Sequence, residues 1–177
     1  MYIDRLETKD LIIAKAKIED TEKIWQNYWS DLESAKYMLW QPTSTMEEAI
    51  DRMERTIKYQ KEHFAFTIYE KSTNEPIGMA GFYEVEPGVW EDSGIGMGSK
   101  FVGRGYGTQV LQVLIDYLFN EMKINKILYS CFRENVVSHK LVAKFDFNYL
   151  FTIADVREWD GLEYAVDYFQ ILNPNNN

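Results

Sequence analysis

The sequence predicts an α/β fold of the α+β kind, with a mixed, mostly antiparallel central sheet flanked by helices. Three observations carry that expectation. Strand-like segments follow one another directly at 64–69, 76–83 and 90–98, and again at 147–154 and 164–172, with short connections that suit antiparallel neighbours. Segments with helical apolar spacing separate these groups. The chain has 177 residues, 46% of them hydrophobic and 27% charged, which is enough for one real core and ordinary for a globular protein.

Leu11-Ile12-Ile13-Ala14 is the first strand, an apolar run between polar neighbours. Residues 19–29 form a helix that turns Ile24, Trp25, Tyr28 and Trp29 toward the core. A second helix begins near Ser44, where Ser44-Thr45-Met46-Glu47 fits a capping box, and continues to about Glu62. The strands 64–69 and 76–83 are joined by the polar turn Lys71-Ser72-Thr73-Asn74-Glu75. Residues 90–98 form a glycine-broken strand, a pattern that marks a bulge or the close approach of a ligand.

A long helix then runs to about Met122, its apolar face set by Leu111, Leu114, Leu118 and Met122 and widened by Val110 and Tyr117. The buried strand 124–132 follows at once. Asn135 caps a short helix carrying Leu141, Val142 and Phe145. The last two strands are antiparallel, with Asp160-Gly161 in the turn. The element order is β-α-α-β-β-β-α-β-α-β-β, without linker or repeat. Residues 1–172 are expected to make a single domain and 173–177 a disordered tail.

Composition narrows the function. A net charge of −9 argues against nucleic acid as a partner. The chain has no apolar run long enough to span a membrane and no basic-then-apolar leader, so a cytoplasmic location with no membrane partner is the expectation. The single cysteine, Cys131, lies in an apolar run and reads as a buried, inert thiol. No His or Cys cluster has metal-ligand spacing, so no metal is expected. Monomer and homodimer are both compatible with the sequence.

The residues richest in information are Gly103-Arg104-Gly105-Tyr106-Gly107-Thr108, at the start of the long helix. Three alternate glycines present no side chain to a ligand, so backbone N–H groups can approach it. The first helical turn adds unpaired N–H groups and the positive end of the dipole. That combination suits a phosphate or pyrophosphate.

Charge distribution agrees. From Lys100 to Lys144 there are seven bases and three acids, a net +4 that leaves −13 elsewhere. Just before the loop, Glu84, Glu86, Glu91 and Asp92 occur with no Lys or Arg among them. An anionic ligand on one side and a cationic one on the other is the simplest reading.

This order of elements, with Val102 to Gly107 between strand and helix, resembles the GNAT superfamily of acetyl-CoA-dependent N-acetyltransferases. Leu6-Glu7-Thr8-Lys9-Asp10-Leu11 is similar to that family's opening motif. Asn135-Val136-Val137-Ser138, with Leu141, Lys144 and Phe147, is similar to its short-helix motif. Asp160-Gly161, followed by Tyr164 and Asp167, is similar to its closing hairpin, and together these features point to the branch that includes ribosomal-protein N-terminal acetyltransferases.

The resemblance implies acetyl-CoA as cosubstrate, with its pyrophosphate on the loop Val102, Gly103, Arg104, Gly105, Tyr106, Gly107 and Thr108. Its pantetheine arm would enter between strands splayed around Ile95-Gly96-Met97 and Leu128-Tyr129-Ser130. A backbone N–H near Met97 would serve as oxyanion donor. Two departures stand out: Val102 replaces the usual Gln or Arg, and Asp146-Phe147 replaces Gly-Phe. The tyrosine that many members use to protonate the thiolate falls at Val142.

Acetyl transfer to an amine needs a neutral amine, a donor for the thioester oxygen, and a way for the thiolate to leave. Asp92, where the branch commonly has Glu, is the candidate base, directly or through a water; its other reading is a solvent-facing strand-end acid. Glu91 faces the opposite side of a regular strand. Ser138 is the candidate for the sulfur, or an ordinary first-turn residue. Asn135 is a pantetheine ligand, a helix cap, or both. His139 and His63 read as idle.

The acceptor pocket draws on Trp40, Phe82, Trp90 and Asp92, with Trp29 and Tyr83 as further wall candidates, all but Asp92 equally suited to the core. The acceptor itself is a primary amine: a peptide N-terminus, an aminoglycoside or a polyamine. Two other functions fit less well. A dinucleotide-binding oxidoreductase needs GxGxxG after a first strand, whereas the spacing here is GxGxG after most of the sheet. An acyl-CoA-binding domain without catalysis is the non-enzymatic alternative.

Overall fold

The computed structural model describes residues 2–176. The chain opens with a hairpin of β1 (Arg5–Glu7) and β2 (Leu11–Ala14), the first of these too short to show in the sequence. A helical run follows, with α1 (Thr21–Ile24) between a 3-10 turn and the π turn Trp25–Trp29, then the one-turn α2 (Leu32–Ala35) and the long α3 (Met46–Glu62). The capping box of α3 lies one residue later than expected: the Thr45 side chain accepts from the Glu48 N–H while Glu48 reaches back to the Thr45 N–H.

Next come β3 (Ala65–Glu70), β4 (Glu75–Glu86), β5 (Val89–Asp92) and the two-residue β6 (Gly96–Met97). After α4 (Tyr106–Asp116), whose end widens into the π turn Tyr117–Glu121, come β7 (Lys126–Phe132) and α5 (Val136–Val142). The final hairpin is β8 (Asn148–Val156) and β9 (Glu163–Leu172).

Among the described residues the strands form one sheet in the order β1-β2-β3-β4-β5-β7-β9-β8, with β6 on β4. Only the β5–β7 pair is parallel, which is the mixed, mostly antiparallel sheet expected. One face packs on α4, where Val110, Leu111 and Leu114 lie fully buried against Phe66, Ile68 and Phe82. The other face packs on α1 and α3 through Ile24, Trp29, Ala49 and Met53. Truncating Leu111 or Leu114 to Ala is expected to cost about 2–5 kcal/mol.

Two expectations are corrected. The strand at 90–98 is two strands, because the chain turns out of line at Gly94 (φ +100°) between β5 and β6. The tail is not free either. Asn173 is buried, and its Nδ2 donates to the carbonyls of Ile124 (2.7 Å) and Phe119 (3.2 Å), while Asn176 donates to Asn125 Oδ1. These amides tie residues 173–176 to the turn before β7; Asn177 lies outside the described residues.

Candidate active site

The parallel pair is short. β5 and β7 are in register from Val89 opposite Lys126 to Glu91 opposite Leu128, and then they part. β6 continues on β4 alone, and β7 continues on β9 alone. The next ladder donor, the Ser130 N–H, is met by the Asp92 carboxylate, which accepts from it at 2.7 Å. Beyond this clasp a cavity of about 590 Å³ opens, with Ile95, Gly96 and Met97 on one wall and Tyr129 on the other, and extends to the glycine loop.

At the loop end, Gly103 (φ +85°) and Gly105 (φ +78°) adopt the left-handed conformation that glycine tolerates best. A Cβ at either position would meet no atom within 4 Å, so the space beside the loop is open. Gly105 is the N-cap of α4 and offers no side-chain acceptor, which leaves the first-turn N–H groups available to a ligand. Lys140 and Lys144 line the same end, and Lys144 Nζ donates to Thr108 Oγ1 at 3.0 Å.

Val102, Tyr106, Gly107 and Thr108 line this cavity; Arg104 does not. Its guanidinium turns to Glu70 Oε1 at 2.9 Å, where the Tyr106 hydroxyl also donates at 2.7 Å. These bonds hold the Glu70 carboxyl below its usual range, the Tyr106 hydroxyl foremost. Arg104 thus fixes the loop to β3, and only its backbone is left for a ligand.

Asn135 and Ser138 both line the cavity. Asn135 Oδ1 accepts from the Ser138 N–H at 3.1 Å, so Asn135 does cap α5. The Ser138 hydroxyl is spared that duty and stands 3.0 Å from the Tyr129 hydroxyl. Tyr129 is buried, and that burial raises its phenol well above the ordinary tyrosine range. Cys131 on the same strand is buried as well, its thiol pushed up to about 12. Val142 is 4% exposed and belongs to the core.

Asp92 is 7% exposed, which removes its reading as a solvent-facing acid. Its partners are backbone N–H groups, Ser130 through Oδ1 and Gly94 through Oδ2 at 3.2 Å. Burial outweighs those bonds and pushes its pKa up to about 7. Glu91 points to the other face beside Tyr83, its cross-strand partner, and burial raises it too.

Three residues expected at the acceptor do not line this cleft. Phe82 (1% exposed) and Trp90 (4%) are core side chains on the α4 face, because the sheet's alternation turns them inward. Trp40 packs on the opposite face and lines a second cavity. His139 turns from the cleft toward Asp167, with Nε2 3.4 Å from its carboxylate.

Sequence reasoning did not place α2 over the cleft. Ser34, Tyr37 and Met38 line the cavity. Asp31 Oδ2 accepts from the Ser99 N–H at 2.7 Å, and Ser34 Oγ donates to the Met97 carbonyl at 3.2 Å, tying α2 to the chain around β6. From the last hairpin, the buried Arg157 donates through Nη1 to the carbonyls of Ala35, Lys36 and Met38 at 2.9–3.2 Å. Its sole sequence signal was an arginine next to the Asp160-Gly161 turn.

The family model of the acetyltransferase (GNAT) domain matches residues 10–148. The chain belongs to the GNAT family. It is 30% identical over 173 residues to the uncharacterized N-acetyltransferase p20 of Bacillus licheniformis, covering 96% of this chain and 97% of that protein. In structure it is similar to a GNAT-family acetyltransferase from Bacillus anthracis, with TM-score 0.81, 21% identity and coverage of 96% and 98%. It is also similar to the spermidine N-acetyltransferase of Vibrio cholerae, solved with CoA and spermine, with TM-score 0.75, 16% identity and coverage of 94% and 97%.

As a GNAT protein the chain is an acetyl-CoA-dependent N-acetyltransferase. Its cleft fits that cosubstrate: open space beside two left-handed glycines, an uncapped helix start flanked by lysines, and a gap between parting strands. Among the described residues there is no group of three or more potential metal ligands, and no helix is long and apolar enough to cross a membrane.

Proposed function

We propose that the protein acetylates a primary amine by direct attack within a ternary complex. The observation that carries this reading is a buried, high-pKa carboxylate near a buried phenol bonded to a half-buried serine hydroxyl where β5 and β7 part. Acetyl-CoA supplies the activated acetyl group as a thioester. Everything else is done by side chains and backbone of this chain.

Gly103, Gly105, Gly107 and the first turn of α4 bind the pyrophosphate through N–H groups, with Lys140 and Lys144 adding positive charge. Ile95 and Met97 line the path of the pantetheine arm, and a backbone N–H near Met97 stabilises the oxyanion. Asp92, poised near neutrality, takes the amine's proton through a water. Tyr129 remains a phenol at any physiological pH and orients the Ser138 hydroxyl, which donates a hydrogen bond to the departing thiolate; the thiolate then takes its proton from solvent, and Val142 can take no part in this.

The test is acetyl-CoA turnover with a panel of amines, alongside calorimetric binding of CoA. An active transferase releases CoA only when an amine is present and binds the cofactor with submillimolar Kd, about −4 kcal/mol or better. CoA binding without turnover on any amine would instead make this an acyl-CoA-binding domain.

A further inference from the structure

On the sheet face opposite α4, a second cavity of about 610 Å³ lies between α3 and the segment after α2. Trp40, Thr43, Arg52, Arg55, Tyr59 and Met79 line it. The Arg52 guanidinium packs on two indoles, 4.7 Å from the ring centroids of both Trp29 and Trp40. It makes one side-chain hydrogen bond, from Nη1 to Thr43 Oγ1 at 2.9 Å. Among the described residues, neither Arg52 nor Arg55 has a carboxylate within 4.0 Å.

The acid in the lining forms no ion pair with either. Glu48 is committed to the capping box, accepting from the N–H groups of Ser44 and Thr45. The cavity thus holds two unpaired guanidinium groups in a chain of net charge −9. Burial lowers Arg52 to about 10, a sign that its charge is held out of water without a counterion. Such a charge is costly unless something pairs with it. A guanidinium has five N–H donors in a fork that matches a carboxylate, and flat aromatic walls leave it room for a bidentate partner.

The cavity adjoins the thioester end of the cleft. Met79 is the Cα partner of Gly96, which lines the cofactor cavity. Tyr28 packs edge-on against Trp40 with centroids 5.1 Å apart, and its hydroxyl lies against Gly96.

We infer that this cavity binds the carboxylate of the acceptor, so that the substrate is a small amine that also carries a carboxylate. The inference rests on the acetyltransferase reading above. It reverses the sign expected from the acidic stretch at 84–92, because the charges facing this cavity without partners are positive.

The test compares glycine, β-alanine, longer ω-amino acids, L-methionine and L-phenylalanine, each beside its carboxamide, as acceptors for acetyl-CoA. For at least one pair, the acid is expected to exceed the amide in kcat/KM by about tenfold or more. Arg52→Gln should abolish that preference through KM while leaving the Kd for CoA unchanged, and Arg52→Lys should restore part of it. Arg55→Gln gives a second reading on an exposed residue whose loss leaves the core intact. Independently of turnover, tryptophan fluorescence of the wild type should respond to titration with the acids and not with the amides.

Amides used as well as acids, or an Arg52→Gln loss equal for both, would overturn the carboxylate site. So would a fluorescence response that does not distinguish acids from amides. Failure of the acetyltransferase reading looks different: CoA neither binds nor is released, whatever the fluorescence titration shows.

Discussion

The Tyr129 and Ser138 hydroxyl oxygens stand 3.0 Å apart across the gap between β7 and α5. Each side chain is placed by a separate device, Tyr129 by burial in the strand and Ser138 by the Asn135 cap on its N–H. If they serve the departing thiolate as one hydrogen-bonded unit, Tyr129→Phe and Ser138→Ala should each lower kcat by about 10²-fold. The double variant should be no worse than the more severe single one, since parts of one device are not additive. Calorimetry should find the acetyl-CoA Kd unchanged. Additive losses, or a loss confined to Kd, would return Ser138 to a purely structural role.

The loop glycines separate two effects. Gly105 is left-handed, so Gly105→Ala carries a backbone cost of about 1–2 kcal/mol whatever the ligand does. Gly107 has no positive φ, and a Cβ there would sit at ordinary contact distance, 3.5 Å, from Leu141 Cδ2. Gly107→Val should therefore raise the acetyl-CoA Kd by at least about tenfold, or about 1.4 kcal/mol. Urea unfolding should show the larger stability loss for Gly105→Ala. Normal cofactor binding by Gly107→Val would show that the pyrophosphate lies elsewhere.

Local signals made most of the scaffold legible. The glycine spacing, the apolar period of α4 and the Asn135 cap are encoded in a few adjacent residues each, and the structure has them where the sequence suggests. Assignments that depend on which way a strand faces fared worse. Phe82 and Trp90 have the aromatic character of pocket walls, but sheet register turns both into the core. The sequence places Tyr129 on a splayed strand but gives it no role of its own, because its pairing is a contact with α5, and Arg157 carries little signal because its three carbonyl partners are over a hundred residues away. Asp92 stands out in the sequence as an acid ahead of the glycine loop, but its burial follows from the parting of β5 and β7, which propensity does not encode.

Arg157 should matter for acceptor binding more than for chemistry. Its Nη1 holds the carbonyls that end α2, and Tyr37 and Met38 beside them line the cleft. Arg157→Met keeps the apolar stem and removes the shared donor of the three carbonyls, leaving Ala35 only its bond from the Met38 N–H. The acceptor KM should rise about tenfold or more, with a smaller change in kcat and none in the acetyl-CoA Kd. Amide exchange should quicken in residues 32–40 and stay slow in α4. A variant with unaltered KM would show that α2 is held by Asp31 and Ser34 alone.

Asp92 links activity and stability to pH in opposite directions. Its carboxyl ordinarily titrates near 3.8, and burial pushes it up to about 7 in the folded protein. Between those values the folded state keeps a proton that the unfolded state has lost. The Asp92 contribution to stability therefore falls as pH rises through that window, with a slope on the order of 1.4 kcal/mol per pH unit. Asp92→Asn, which can still accept from the Ser130 N–H, should remove that slope. Activity runs the other way, because the base must be ionised: wild-type kcat/KM should climb as pH rises toward and past about 7. Asp92→Asn should lower the rate by about 10²-fold at neutral pH, and the deficit should shrink at higher pH as more of the free amine is already neutral. Glu91→Gln, on the opposite face beside Tyr83, should leave the profile in place. Near wild-type turnover in Asp92→Asn, together with the stability change, would make Asp92 only the clasp between β5 and β7. Catalysis would then rest on positioning the amine against the thioester, with bulk water taking the proton.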